Sequence, residues 1–209
     1  EQVNPVLTQR CVVCHACYDA PCQLKISSSE GVARGASKEK VYEGTRITAA
    51  QPNRMFLDAH STQAWRERGF FDVLPANKEA DEPKTQSSVL AQMLLLKKQH
   101  PLPNTSHLGS GFDISLSREN QCPTIDEMGE YIADQPLGGM PYALPGLSDA
   151  EHNTLMQWLH HGAPLSSSNV ISEELNAEIV ALEKWLNGDS NKMRLSARYI
   201  YEHLFTSHL

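Results

Sequence analysis

The sequence predicts a mainly α-helical fold, and three observations support this prediction. Apolar residues recur at helical spacing in several segments of the chain. Two of these segments open with a Ser or Thr followed three residues later by Glu, the capping box that begins many helices. The alternation of apolar and polar residues that marks strands is nearly absent. With 209 residues, the chain is long enough for one large domain or for a small domain with an appendage.

Two helices are predicted in the first half of the chain. Residues 61–68 form a short one, which is followed by a glycine at its C-terminal cap. Residues 88–99 form a stronger one, with leucine and methionine at helical spacing, and Pro101 stops it. Polar and charged residues over 77–86, and proline and glycine over 101–111, predict loops.

Four more helices are predicted in the second half of the chain. Residues 124–134 and 148–161 each begin with a capping box, and Gly162 ends the second of these helices. A serine begins a third helix over residues 172–187, which carries leucine and isoleucine on one face. The fourth helix starts near residue 190, and its apolar residues continue almost to the end of the sequence.

The most informative motif is Cys11-Val12-Val13-Cys14-His15, because C-x-x-C-H is the attachment signature of c-type haem. Its two thiols, three positions apart on one helical turn, can each form a thioether with a vinyl group of the same porphyrin, and His15 then ligates the iron. Random placement of the cysteines and histidines would produce this motif only about 0.005 times per chain. The motif therefore predicts covalently bound haem c.

Two other kinds of site use a C-x-x-C pair. A thioredoxin-like redox dithiol sits at the end of a strand in a βαβ unit, and no such unit surrounds Cys11 and Cys14 in the sequence. A structural zinc site needs a second ligand pair, and no other C-x-x-C follows in the sequence. Both alternatives therefore rank below haem c.

Three cysteines remain outside the motif: Cys17, Cys22 and Cys122. In an oxidising compartment an odd number implies one disulfide and one free thiol, or an unusual ligand role. Cys122 lies between Gln121 and Pro123, in a fixed position, and we expect it to pair with Cys22. Pairing with Cys17 is the close alternative, and buried free thiols are another.

Composition excludes some classes of function. The formal net charge is −7 and the sequence pI is about 5.7, so we expect no nucleic-acid partner. The longest purely aliphatic run, at 94–96, is far too short to span a membrane. The sequence starts at Glu1 without a methionine or a visible signal peptide, as in a processed secreted protein or a trimmed chain.

A loop rich in glycine and proline precedes the helix at 148–161 and carries one methionine, Met140. This order resembles the second half of a class I cytochrome c, in which a loop methionine ligates the iron. The resemblance implies a cytochrome c-like core with Met140 as the distal ligand, a soft thioether that raises the reduction potential. More than a hundred residues separate His15 from Met140, so we expect this core to carry a large insertion of helices and loops at about 25–120.

Three basic residues, Arg34, Lys38 and Lys40, are candidates for contact with haem propionates, on charge alone. His160 and His161 end a predicted helix and, as neighbours, point to different sides. We therefore expect no metal-binding pair there.

The segment Arg10–Lys25 resembles the haem segment of the bacterial fatty acid cis/trans isomerases. Further stretches that resemble this family are distributed along nearly the whole chain: Glu30–Ser37, Val89–Lys97 with His100–Pro103, Gln121–Thr124, Gly139–Tyr142 with Leu144–Glu151, Leu186–Ser190 and Ala197–Phe205. Members of the family are much longer, so the resemblance is to their N-terminal portion.

The resemblance implies a periplasmic haem enzyme that converts cis double bonds of membrane fatty acyl chains to trans. Its substrates would be unsaturated fatty acids or phospholipid acyl chains, which the full-length protein reaches at the periplasmic face of the membrane. Residues 1–165 would form the haem domain, and residues 166–209 a helical extension that leads to a further C-terminal part. We expect this chain alone to be inactive. The alternative is a c-type electron-transfer module without isomerase activity.

Overall fold

The computed structural model confirms a mainly α-helical fold. It describes residues 2–16, 20–40, 53, 55, 57–75, 85–103, 105, 107–109, 112–113, 115, 121–165 and 172–206. Within these ranges the chain forms eight α-helices, two 3₁₀ turns and two isolated β-bridges, and no longer strand. The α-helices are α1 (Val3–Arg10), α2 (Ser29–Arg34), α3 (Thr62–Glu67), α4 (Val89–Gln99), α5 (Met128–Asp134), α6 (Asp149–His160), α7 (Glu173–Leu186) and α8 (Asn191–Thr206).

All six helices predicted from the sequence are present, and their capping residues explain where they begin. Ser61, Ser88, Ser148 and Ser172 each accept a hydrogen bond from the backbone N–H three residues further on. The capping boxes at Thr124 and Ser148 are both formed. The helix predicted from Thr124 begins as a 3₁₀ turn before it continues as α5.

Helices α1 and α2 were not predicted from the sequence. α1 leads directly into the C-x-x-C-H motif, and α2 is a short helix capped by Ser28. α2 ends at Gly35, where a φ of +86° and close contact with the Phe71 carbonyl leave no space for a side chain. Most of the predicted loop at 77–86 lies outside the described residues.

Contacts divide the chain into two compact units, Glu1–Leu165 and Ser166–Leu209. The second unit contains α7 and α8, which contact each other. No residue of α7 is buried, and its Leu182 and Trp185 are 56% and 40% exposed. Of the helices that the structure describes, none is both long and apolar enough to cross a membrane.

α4 lies in the core of the first unit. No residue from Ser88 to Lys97 is exposed, and α4 contacts both α5 and α6. α6 contributes Leu155 and Leu159, which are completely buried, and α1, which contributes Leu7 to the same core, contacts α6. A helix that is covered on nearly every side needs apolar residues around its circumference, which explains the near-absence of polar residues in the first turns of α4.

An ion pair joins the end of α1 to the first turn of α6. Arg10 donates from Nε and Nη2 to the two carboxylate oxygens of Glu151, over 2.8 and 3.1 Å. The same carboxylate accepts the Ser148 N–H over 2.8 Å, as part of the capping box. Chiefly through the Arg10 hydrogen bond, these contacts lower the pKa of Glu151 to about 2. Glu151 therefore fixes both the start of α6 and the residue that precedes Cys11.

A disulfide joins Cys22 to Cys122, at a sequence separation of 100 residues. It attaches the segment before α5 to the segment after the C-x-x-C-H motif. An ion pair between Lys38 and Glu127 links the same two parts of the chain. Cys17, the alternative partner, lies outside the described residues.

Replacing the disulfide with two serines, Cys22→Ser/Cys122→Ser, should lower the free energy of unfolding by about 4 kcal/mol, because the disulfide restricts a long loop in the unfolded chain. Urea titration followed by circular dichroism measures this loss. A reducing agent should cause the same loss in the wild type and none in the double variant. Equal midpoints for the wild type and the double variant would show that the disulfide does not stabilise the fold.

Glu151→Gln should lower the melting temperature by a few degrees at neutral pH, since glutamine keeps the capping box but removes the charge that Arg10 binds. The folded-state pKa of Glu151, about 2, is below its ordinary value of 4.5. The stabilisation is therefore complete above about pH 4.5 and is lost as the pH falls towards 2. Thermal melts from pH 7 to pH 2 test this, with Glu130→Gln on α5 as the control. A difference between wild type and Glu151→Gln that persists at pH 2 would exclude the charge as its cause.

Candidate functional site

The first unit contains a cavity of about 350 Å³ with mostly apolar walls. The predicted ligands meet in it: Cys11, Cys14 and His15 from the motif after α1, and Met140 from the loop before α6. The segment predicted as an insertion supplies much of the wall, through Ile26, Ala36, Phe71, Val73, Val89, Leu90, Met93 and Leu94. The remaining lining residues are Arg10, Pro21, Cys22, Leu24, Ser115, Gln121, Cys122, Pro123, Pro141, Tyr142, Leu144 and Leu147.

The C-x-x-C-H motif continues α1 as a tight turn. The N–H of Cys11 donates to the Leu7 carbonyl over 2.9 Å, and the N–H groups of Cys14 and His15 donate to the Cys11 carbonyl over 3.1 and 2.9 Å. Both thiols are free, and Cys14 is exposed. Burial, with a smaller effect of the Cys14 charge, raises the pKa of the Cys11 thiol to about 11, so this thiol is protonated at neutral pH.

The backbone holds His15 in the tautomer that a metal ligand needs. Its Nδ1 lies 3.1 Å from the Leu24 carbonyl oxygen, which can only accept, so Nδ1 carries the proton and Nε2 keeps its lone pair. Burial lowers the pKa of His15 and so favours the neutral ring, although the Leu24 hydrogen bond acts in the opposite direction. Histidine ligands of metals are usually held by such a hydrogen bond from the other ring nitrogen.

Helices α4 and α5 hold the loop that carries Met140. The N–H of Met140 donates to the Met93 carbonyl in α4 over 3.1 Å. The hydroxyl of Tyr131 in α5 donates to the Gly138 carbonyl over 2.9 Å. Between these two contacts, Gly139 lies against the backbone of α4. The Met140 side chain therefore enters the cavity from a loop that is held at three consecutive residues.

These residues fit the attachment of haem c. The cavity offers two free thiols for thioether bonds, and a neutral imidazole and a thioether as ligands for iron. Its mostly apolar walls suit the faces of a porphyrin. Its volume falls within the range of about 300–1,000 Å³ that is usual for cofactor and ligand sites.

The disulfide is part of the wall of this cavity, since Cys22 and Cys122 both line it. The residues on either side of Cys122, Gln121 and Pro123, also line it. The ion pair between Lys38 and Glu127 also links this wall to the rest of the unit.

The three basic residues considered for haem propionates are not among the residues that line the cavity. Arg34 is buried beside Trp65 and Phe70, with its guanidinium carbon 5.6 and 4.9 Å from the two ring centroids. Lys38 pairs with Glu127. Like Arg34 and Lys38, Lys40 is absent from the lining residues. The charge of Arg34 and Lys38 did not predict where their side chains lie, because burial places Arg34 and the ion pair with Glu127 places Lys38.

Arg10 is a cationic lining residue that the sequence reading missed. The available signal was its position immediately before Cys11. His160 and His161 lie outside the cavity wall, as do the carboxylates of α5. In the part of the chain that the structure describes, no group of three or more His, Cys, Asp or Glu side chains is arranged to hold a metal ion directly.

Comparison with known proteins identifies the family. A model of the family described as fatty acid cis/trans isomerase (CTI) matches residues 50–209, a range that includes Met140 and Cys122 but not the C-x-x-C-H motif. No curated protein matches the chain, and no solved structure does. Because the family match covers most of the chain, it confirms the resemblance found in the sequence. The chain belongs to the fatty acid cis/trans isomerase family.

Proposed function

We propose that this chain binds haem c covalently and forms the haem-binding part of a periplasmic enzyme that converts cis double bonds of unsaturated fatty acyl chains to trans. One observation carries the proposal: Cys11, Cys14 and His15 of the motif line one apolar cavity together with Met140, which is far from them in the sequence. Family membership supplies the reaction, the cis/trans isomerisation of fatty acids.

The four residues have distinct roles in this proposal. Cys11 and Cys14 would hold the porphyrin through thioether bonds, and His15, oriented by the Leu24 carbonyl, would hold the iron through Nε2. Met140 would provide a thioether ligand, which favours the reduced iron. When bound, the haem supplies a centre that accepts and returns an electron, which is the chemistry that lowers the order of a double bond. The apolar walls exclude water from this centre.

The rim of the cavity suits an acyl chain. Tyr142 and Leu144 line the cavity, and Leu144 is 43% exposed although it is a large apolar side chain. Exposed apolar side chains beside a cavity are common at ligand-binding sites. Among the described residues the cavity volume of about 350 Å³ lies near the lower end of the usual range for cofactor sites, so a bound haem would take up most of it. We therefore place the substrate at the rim, next to Leu144.

The proposed location rests on the cysteine chemistry. The disulfide between Cys22 and Cys122 is of the kind that persists in oxidising compartments such as the bacterial periplasm. Covalent attachment of haem to a C-x-x-C-H motif belongs to the same compartment in bacteria, and Cys11 and Cys14 are the free thiols that it requires.

Protein that matures in the periplasm should contain covalently bound haem, seen as a c-type spectrum of the reduced pyridine complex after denaturation. Cys11→Ala/Cys14→Ala should abolish this attachment completely, because no thioether can form. His15→Ala should change the axial ligation, whereas the matched change His161→Ala, at an exposed histidine away from the cavity, should not. Wild-type protein that matures in the periplasm without haem would contradict the proposal.

Isomerisation is tested with the complete gene product and vesicles of cis-unsaturated phospholipid, followed by gas chromatography of the fatty acid methyl esters. The haem-loaded protein should form trans fatty acids, and Cys11→Ala/Cys14→Ala should reduce the rate to that of the uncatalysed reaction. Trans product from the double variant would exclude haem from the reaction. A haem-loaded, redox-active protein that forms no trans product would favour the alternative, a c-type electron-transfer module.

A further inference from the structure

We infer that Gly139 is a positioning residue, which holds Met140 at the proposed haem site by docking its loop on the backbone of α4. This inference rests on the proposed function, because it concerns Met140 as a ligand of the haem iron. It adds to the proposed ligands a residue that has no side-chain functional group of its own.

The first observation is a contact that only glycine permits. Gly139 is buried directly against Lys97, near the end of α4. A Cβ at position 139 would lie 2.7 Å from the Lys97 Cα and 2.9 Å from its Cβ, and closer still to its backbone nitrogen. Two of these atoms belong to the backbone of a buried helix, so they cannot rotate away as the end of a flexible side chain would. Any side chain at position 139 must therefore move the loop away from α4.

The second observation is that the hydrogen bonds on both sides of Gly139 depend on the same position of the loop. Met140 donates its N–H to the Met93 carbonyl, one turn before Lys97, over 3.1 Å. Movement of the loop away from α4 lengthens this bond and weakens it. On the other side, Tyr131 holds the Gly138 carbonyl over 2.9 Å.

The third observation shows how closely the loop covers α4. Lys97 is only 2% exposed, and its Nζ has no hydrogen-bond partner among the described residues. An exposed fraction this low shows that the surrounding segments pack closely around the lysine, although burial of an unpartnered amine is unfavourable. Gly146, near the other end of the loop, also faces this side chain, since a Cβ there would lie 3.9 Å from the Lys97 Cγ. The loop thus packs around Lys97 at both of its ends.

A loop held in this way determines how readily Met140 leaves the iron. An added ligand must displace the methionine, and its apparent affinity rises in proportion to the fraction of molecules in which the methionine is away. Because the backbone of Met140 is tied to α4, this fraction is small in the wild type. Loss of the contact at Gly139 increases it.

The test compares Gly139→Ala with Gly129→Ala in the haem-loaded protein. Gly129 is the matched control, a glycine of α5 at which an added Cβ would meet nothing within 4 Å. Three properties are measured: the charge-transfer absorption of methionine-ligated ferric haem, the reduction potential, and the Kd for imidazole. Met140→Leu gives the values expected without the ligand.

Gly139→Ala should lose most of the charge-transfer absorption, shift the reduction potential towards that of Met140→Leu, and bind imidazole at least about tenfold more tightly than the wild type. Gly129→Ala should match the wild type. Tyr131→Phe removes only the hydroxyl that holds Gly138 and should bind imidazole about threefold more tightly. This second variant provides the test if Gly139→Ala does not fold.

Two results would overturn the inference, and they are distinguishable. In the first, Gly139→Ala and Tyr131→Phe have wild-type values whereas Met140→Leu has altered ones. This result would show that Met140 is a ligand whose position does not depend on the loop contact. Wild-type values for Met140→Leu itself would overturn the assignment of Met140 as a ligand, and the role of Gly139 with it.

Discussion

Burial of α4 on nearly all sides is the constraint on which the rest of the first unit depends. A helix of 11 residues in such a position must be covered by other segments, and α5, α6 and the loop between them contribute to that cover. Its exposed end adds an ion pair between Lys98 and Asp149 at the start of α6. The same helix lines the cavity with Val89, Leu90, Met93 and Leu94. The core and the candidate site therefore share one element, and a change that loosens α4 alters both.

Local signals account for the part of the fold that could be predicted. A serine cap and an apolar stripe act over a few residues, so α3 to α8 begin and end close to the predicted positions. α1 has no side-chain cap, and its partner in the ion pair, Glu151, is far away in the sequence. α2 has only six residues, and the carbonyl that packs against its end belongs to the distant Phe71. Neither helix could be recognised from its own residues.

Nearby residues likewise allowed only part of the candidate site to be predicted. The C-x-x-C-H motif carries its chemistry in five neighbouring residues, and the loop of Met140 was found through a resemblance. The roles of His15 and Met140 as haem ligands stay predictions, and so does the cytochrome c-like core. The walls could not be predicted. Residues 25–120 were interpreted as an insertion around the core, whereas many residues between Ile26 and Leu94 line the cavity itself. Packing between distant segments, which leaves no local pattern, decides this arrangement.

The wall of the cavity contains cysteines in two oxidation states, and this has a consequence for how the protein is made. Cys11 and Cys14 are thiols, whereas Cys22 and Cys122 form a disulfide. In an unfolded chain Cys22 meets the nearby Cys14 far more often than it meets Cys122, because a short loop closes at a lower entropic cost. The native pairing is therefore selected by the folded segments and not by proximity along the chain. During biosynthesis, oxidation before folding would therefore consume the two thiols that the proposed haem attachment requires.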